Sequence, residues 1–192
     1  MKSVVTWLDT SPLGKASHHT ESKNNSLTNR VEADEIISLL KEIANNDKFT
    51  TALSETVKDG EPVIGVICMY GEQKRHIRKK FNEQTWDDDF KSLVKIDTVD
   101  SYQGKENRII ILSITRSCSD LSSGFLRLPN RINVALSRAM DRLVIVGASQ
   151  MWKGKNANKP LGTVIKYIES QKDQSNYKML NVKPTQRQGA KR

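Results

Sequence analysis

Apolar residues in this chain gather in short runs between polar stretches, and the runs predict alternating strands and helices. Val4 to Leu8 (VVTWL) is a β-branched, apolar run that stops at Asp9 and reads as a buried strand. Residues 10–28 are rich in Ser, Thr, Asn, Lys and His, contain Pro12 and Gly14, and read as a long, flexible loop. Asn29 followed by Glu32 resembles a capping box. Ile36, Ile37, Leu40, Ile43 and Ala44 then share one helical face, and the helix should end near Asn45 and Asn46. Residues 47–62 are polar, with room for a short helix. Val63 to Met69 (VIGVICM) is a continuous apolar run, as expected of a strand covered on both faces. A turn at Tyr70-Gly71 leads into Gln73, Ile77 and Phe81 at helical spacing, and Trp86 to Asp89 reads as loop.

The second half repeats the pattern. Leu93 to Val99, Ile109 to Ile114 and Leu143 to Gly147 are strands by their apolar runs. Residues 117–128 are a loop around Gly124, Asn130 to Ala139 a helix, and Thr163 to Ser170 a closing helix with Val164, Ile165 and Ile168 inward. Such alternation predicts an α/β fold, a mainly parallel sheet with helices on both faces. Ligands on these sheets gather at the carboxyl ends of strands, so the loops after Met69, Val99, Ile114 and Gly147 matter most. The expected organisation is a first strand and flexible loop (1–28), one domain (29–171), and a tail (172–192). That tail carries six basic residues and one acidic residue and reads as disordered.

Composition changes the picture little. A hydrophobic share of 36% suits one core, and the net charge of +9 suits either a surface facing a polyanion or a lysine-rich solvated one. Cys68 and Cys118 stand alone, which excludes a disulfide framework. The first apolar run is too short for a secretory segment, and no run approaches the ~20 residues of a membrane span. A cytoplasmic or otherwise intracellular setting is expected. His18-His19 and Asp87-Asp88-Asp89 lack metal-ligand spacing and read as loop.

Three blocks carry candidate chemistry: VIGVICMYGEQKRHIRKKF (63–81), IDTVDSYQGKENRIIILSITRS (96–117) and GFLRLPNRINVALSRAMDRLVIVG (124–147). In this order, with SYQGKE and NVALSRA each beside an apolar strand, they resemble motifs IV, V and VI of superfamily 1 helicases. The branch most similar contains the nonsense-mediated-decay helicase. The resemblance covers roughly residues 29–170 and implies a RecA-like, three-layer domain, the second of two motor domains.

The resemblance also implies roles. Arg138 would be an arginine finger, inserted from one lobe onto phosphates bound by the other; arginine stays ionised and offers a planar donor fork. Unaided by the motif, Arg138 would read as a surface residue pairing with Asp141. Arg75 would reach the same phosphates, with Lys74 the alternative, although Lys74, Arg75, Arg78, Lys79 and Lys80 also form a solvated basic run. Gln103, Gly104 and Glu106 would line the nucleotide cleft, Glu106 near the ribose. Tyr70, Thr98 and Ser101, with Asp100 between the last two, would approach the nucleic-acid backbone, where contacts position without reading sequence. Tyr70 could instead pack on the sheet edge. Arg131 would contact motif V or the partner lobe, and Asn133 would tie motif VI to motif V. Met140 stands where relatives carry a basic residue, and Cys68-Met69 where they carry Thr-Pro.

One feature of a motor is missing. No G-x-x-x-x-G-K-[ST] occurs, since Gly14-Lys15 is followed by Ala16. VVTWLD therefore reads as a plain strand ending in an acid. The implied partners are ATP with Mg2+, the metal held mainly by a first RecA-like domain of the same polypeptide, and single-stranded DNA or RNA. Alone, the chain is expected to be inactive as an ATP hydrolase. The other reading is a RecA-like binding or interaction module without catalysis, and Arg138 and Glu106 argue against it.

Overall fold

The computed structural model describes residues 4–22, 24–102, 104–171, 174 and 176–184. Its strands are β1 (Val5–Asp9), β2 (Thr20–Glu21), β3 (Leu27–Thr28), β4 (Ile64–Cys68), β5 (Val94–Thr98), β6 (Asn107–Ser113), β7 (Ala139–Gly147) and β8 (Tyr177–Asn181). Its α-helices are α1 (Arg30–Ala44), α2 (Asp47–Ser54), α3 (Gly71–Asn82), α4 (Asp88–Ser92), α5 (Pro129–Leu136) and α6 (Pro160–Ser170). Six strands form one sheet in the order β5-β4-β6-β7-β1-β8, every pairing parallel. β2 and β3 form a separate antiparallel hairpin.

Strand alternation explains the three layers. Ile64, Val66 and Cys68 of β4 and Ile109 and Ile111 of β6 face a core shared with Ile36 and Leu40 of α1 and Ile77 and Phe81 of α3. The intervening Ile67, Ile110 and Leu112 face a second core with Ile132 of α5 and Ile165 of α6. Both faces are thus covered, which is why the strands read as unbroken apolar runs. The fold is the α/β RecA-like architecture that the motifs imply.

Several boundaries differ from the sequence reading. β1 lies inside the sheet between β7 and β8, with Trp7 fully buried and its indole N–H donating to the Gly147 carbonyl at 2.8 Å. Residues 10–28 are not an open loop: Ser11–Ser17 forms a 3-10 turn, and the β2–β3 hairpin follows. The tail expectation is corrected for Tyr177–Asn181, which pairs with β1 along its length as β8. Its alternation of half-buried and exposed positions is weak, as at an edge strand, so the polar composition masked it. Trp86 to Asp89 is not all loop, because Asp88 and Asp89 open the short α4. They favour a helix N-terminus electrostatically. α5 ends at Leu136, and β7 begins at Ala139 rather than near Leu143. Met140 and Asp141 are exposed there, so no apolar run marks the strand's start.

Candidate nucleotide and nucleic-acid site

The three motif blocks meet around β5, the edge strand of the sheet. On α3, Gln73, Ile77 and Phe81 face inward, and the basic residues take the remaining directions. Lys74 Nζ lies 3.3 Å from Asp97 Oδ1 of β5, and Arg78 Nη2 lies 3.6 Å from Asp97 Oδ2. Arg78 Nε also donates to the Ile96 carbonyl at 2.9 Å. Burial works against ionisation of Asp97, yet the Thr98 N–H, Lys74 and Arg78 together hold its carboxyl below its usual range. Arg75 instead turns to solvent, with its side chain 67% exposed, and pairs with Glu72 one turn earlier. The structure therefore brings Lys74, not Arg75, against the motif V strand. Asp97, the partner that organises this flank, was not singled out from the sequence, because its donors Lys74 and Arg78 meet it only once β5 lies beside α3.

Motif V leaves β5 through Thr98, whose hydroxyl lies 3.1 Å from that of Ser101. A 3-10 turn at Asp100–Tyr102 follows, and it plants Tyr102, fully buried, on the sheet. The Tyr102 hydroxyl donates to the Lys95 carbonyl at 3.3 Å. Gly65 of β4 makes the space: a Cβ there would meet Ile110 Cδ1 and the Tyr102 oxygen at 2.7 Å and Asn107 Oδ1 at 2.8 Å. Gly65→Ala is expected to push Tyr102 off the sheet and destabilise the fold by roughly 1–3 kcal/mol, the scale of an overpacked core. Urea unfolding measures it, and unchanged stability would refute this packing role. Gly104 has φ +79°, a left-handed conformation that suits glycine. Glu106 is exposed, and Gln103 lies outside the described residues.

Arg138 is not on the helix, as expected from the sequence, but in the two-residue turn between α5 and β7. Asn107 forces the early break, since its N–H takes the Arg138 carbonyl at 3.0 Å as β6 and β7 begin pairing. The guanidinium donates to three neutral oxygens: Val134 O at 3.1 Å, Lys105 O at 3.3 Å and Ser137 Oγ at 2.9 Å. It does not pair with Asp141, whose carboxylate binds Arg108 at 2.6 Å. Arg131 reaches Asp100 at 3.2 Å, so it contacts motif V as expected. Motif VI thus holds the motif V turn at both ends, at Asp100 and at Lys105. Asn133, expected to tie motif VI to motif V, is exposed, and its carbonyl accepts the Ser137 N–H at 3.0 Å where α5 ends.

At the carboxyl ends of β4 and β6 a second group forms. Tyr70 is only 8% exposed and belongs to the core that also holds Ile132 and Ala135 of α5. Burial raises that phenol from its ordinary range, and Arg116 opposes the shift. Arg116 Nη1 lies 3.5 Å from the Tyr70 oxygen, and its other donors go to Ser122. Gly124 sits against this guanidinium, where a Cβ would be 2.8 Å from its carbon. Thr115, one residue earlier, is held at φ +68°, a strained value for a β-branched residue. Arg116 was missed in the sequence, although its place directly after an apolar strand marks it by the carboxyl-edge rule. Asp9, by contrast, is occupied structurally: it accepts from the Ser11 and Ser149 N–H groups and from the Ser149 hydroxyl.

Among the described residues no cluster of three or more His, Cys, Asp or Glu could hold a metal ion, and no helix is long and apolar enough to cross a membrane.

Comparison with known proteins finds relatives among helicases. A family described as an AAA domain matches residues 1–150. The DNA polymerase alpha-associated DNA helicase A of Saccharomyces cerevisiae is 32% identical over 146 residues, 76% of this chain and 19% of its own length. An uncharacterised ATP-dependent helicase of Methanocaldococcus jannaschii is 30% identical over 72% of this chain and 19% of its own length. The regulator of nonsense transcripts 1 homolog of Neurospora crassa is 39% identical over 55% of this chain and 10% of its own length. The chain thus spans about a fifth or less of these relatives.

Proposed function

The chain belongs to the AAA domain family of superfamily 1 helicases, and from that premise we propose that it is the second RecA-like motor lobe of an ATP-dependent DNA or RNA helicase. The observation that carries this reading is the joining of motifs V and VI, with Arg138 presented on neutral acceptors beside Lys105. Among the described residues no carboxylate pairs with that guanidinium, so its charge is uncompensated and pre-oriented. Such a group fits phosphate oxygens.

In this reading Arg138 is the arginine finger. Lys74, facing β5, is the better placed second cation, and Arg75 joins it only by leaving Glu72. Gly104 and Glu106, with Gln103, line the nucleotide side, and Glu106 is free to meet a ribose. Thr98, Ser101, the Tyr70 hydroxyl and Arg116 face the nucleic-acid backbone. A first RecA-like lobe, carrying the P-loop and most ligands for Mg2+, completes the site. ATP hydrolysis supplies the energy, and lobe closure brings Arg138 to the phosphates while the strand grip shifts.

The test joins this chain to a P-loop lobe of the same family and measures ATP turnover with and without single-stranded DNA or RNA. The joined protein should turn over and be stimulated by one polymer, and the chain alone should not. A joined protein that binds nucleotide but is inert with both polymers overturns the motor reading in favour of a binding module.

A further inference from the structure

A cluster of buried polar side chains connects the nucleotide side of the site to the nucleic-acid side. Ser17 is 2% exposed, and Asn29, Glu32, Gln73, Ser113 and Thr115 are fully buried. The sequence reading expected Glu32 to cap α1 reciprocally with Asn29, but only half of that box forms. Asn29 Oδ1 accepts the Glu32 N–H at 3.1 Å, while the Asn29 N–H is taken by Gln73 Oε1 at 2.7 Å. Gln73 Nε2 returns to the Asn29 carbonyl at 3.0 Å and donates to Ser113 Oγ at 3.1 Å. Ser113 Oγ donates onward to Glu32 Oε2 at 2.7 Å, and the same oxygen accepts the Thr115 N–H at 2.7 Å. Asn29 Nδ2 closes the ring on the carbonyls of Ser17 at 2.8 Å and Thr115 at 3.1 Å.

Two features show that this is more than a helix cap. Gln73 immediately precedes Lys74, so whatever fixes its amide fixes the first turn of α3. Thr115 immediately precedes Arg116, and its left-handed backbone persists only where its surroundings over-determine it. Glu32 supplies that determination through the Thr115 N–H. Its second oxygen, Oε1, is buried without a hydrogen-bond partner among the described residues. Ser113 Oγ joins Gln73 to Glu32, beside Asn29, whose main chain pairs with Gln73 and whose Nδ2 reaches the Thr115 carbonyl.

We propose that Glu32 is a positioning residue which, relayed by Ser113 and Gln73, locks the Lys74 turn of α3 to the Thr115–Arg116 exit of β6, so that the nucleotide-facing and nucleic-acid-facing groups move as one body. The clasp itself stands on the hydrogen-bond geometry; only the identity of what its two ends bind rests on the helicase reading. Among the described residues every side-chain polar atom of the cluster except Glu32 Oε1 has a partner, and buried hydrogen-bond networks of this kind rigidify the core around them.

The test is residue-resolved amide hydrogen exchange on the full 192-residue chain. Ser113→Ala removes the relay but leaves the acceptor of the Asn29 N–H and that of the Thr115 N–H in place. Exchange at Asn29, Lys74 and Thr115 should rise together by about tenfold, the worth of one such bond, while β1 and α6 stay as in the wild type. Glu32→Gln, which keeps both acceptor bonds, should leave all three amides near wild-type rates. Loosening at Thr115 alone, or uniform loosening of the whole domain, overturns the clasp. In the protein joined to a P-loop lobe, Ser113→Ala should keep basal ATP turnover and lower its stimulation by single-stranded nucleic acid at least threefold, roughly half the energy of that bond. Joint loosening with unchanged stimulation overturns the coupling. A joined wild type with no stimulated turnover overturns the helicase reading and the coupling with it, and the exchange result still decides the clasp.

Discussion

Arg138→Ala in the protein joined to a P-loop lobe is expected to lower ATP turnover by roughly 10³-fold, about 4 kcal/mol of barrier, the lower end of what an arginine finger supplies. Nucleotide affinity should change far less, because the finger acts on charge that develops during transfer. The fold should survive, since the partners of the guanidinium are two carbonyls and a hydroxyl near the surface, and no buried charge is orphaned by its loss. Arg138→Lys should not restore turnover: a single ammonium cannot span Val134 O, Lys105 O and a phosphate in one plane. Single-turnover rates and nucleotide dissociation constants, measured side by side, check this. Unchanged turnover would remove Arg138 from the mechanism and leave Lys74 as the principal cation of this lobe.

The contrast between Lys74 and Arg75 defines how far a motif can be read. The block GEQKR places both cations one turn into a helix, and helical spacing alone cannot rank them. Ranking needs the neighbour across the turn, and that neighbour is Asp97 of β5, far away in sequence and adjacent only after parallel pairing. The same holds at Arg138. The apolar run predicted β7 from its buried half, Leu143 to Gly147, and missed the exposed half where Met140 and Asp141 sit. Helix and strand therefore met in a different place from the one expected, and the arginine moved from a helix onto a turn.

What was legible was whatever is written as a period. The two-sided cores, the helical face of Gln73, Ile77 and Phe81, and the Asn29 cap follow from residue spacing. What was not legible was whatever depends on a polar group finding a distant partner. Glu32 reads as a capping residue three positions after Asn29, yet its carboxyl is spent on β6. Arg116 reads as one more basic residue, yet Gly124 and Ser122 from the following loop frame it. The strand β8 fell in a stretch whose composition resembles a tail, and its pairing to β1 supplies the order that its own residues do not advertise.

The buried carboxyl should also leave a signature in stability. Burial pushes the Glu32 acid from about 4.5 up to about 8, against the bonds from Ser113 and Thr115, which favour the ionised form. The Cys68 thiol and the Tyr70 phenol sense the Glu32 charge, and each is pushed up chiefly by its own burial. Folded Glu32 therefore binds its proton across a pH range in which the unfolded chain has released it. Its contribution is fully present below pH ~4.5, declines as pH rises, and is lost above pH ~8; the whole change is roughly 5 kcal/mol. Glu32→Gln cannot ionise. The stability of the variant relative to the wild type should rise steadily with pH through that window and then level off. Asp97 works in the opposite sense, since its depressed carboxyl loses stability only as pH falls below the usual carboxylate range, so the two windows separate. Urea unfolding of both proteins from pH 5 to pH 9 measures the difference. A difference that does not vary with pH would mean that Glu32 is ionised in the folded protein, and that a bare carboxylate, not a neutral acid, sits at the centre of the clasp.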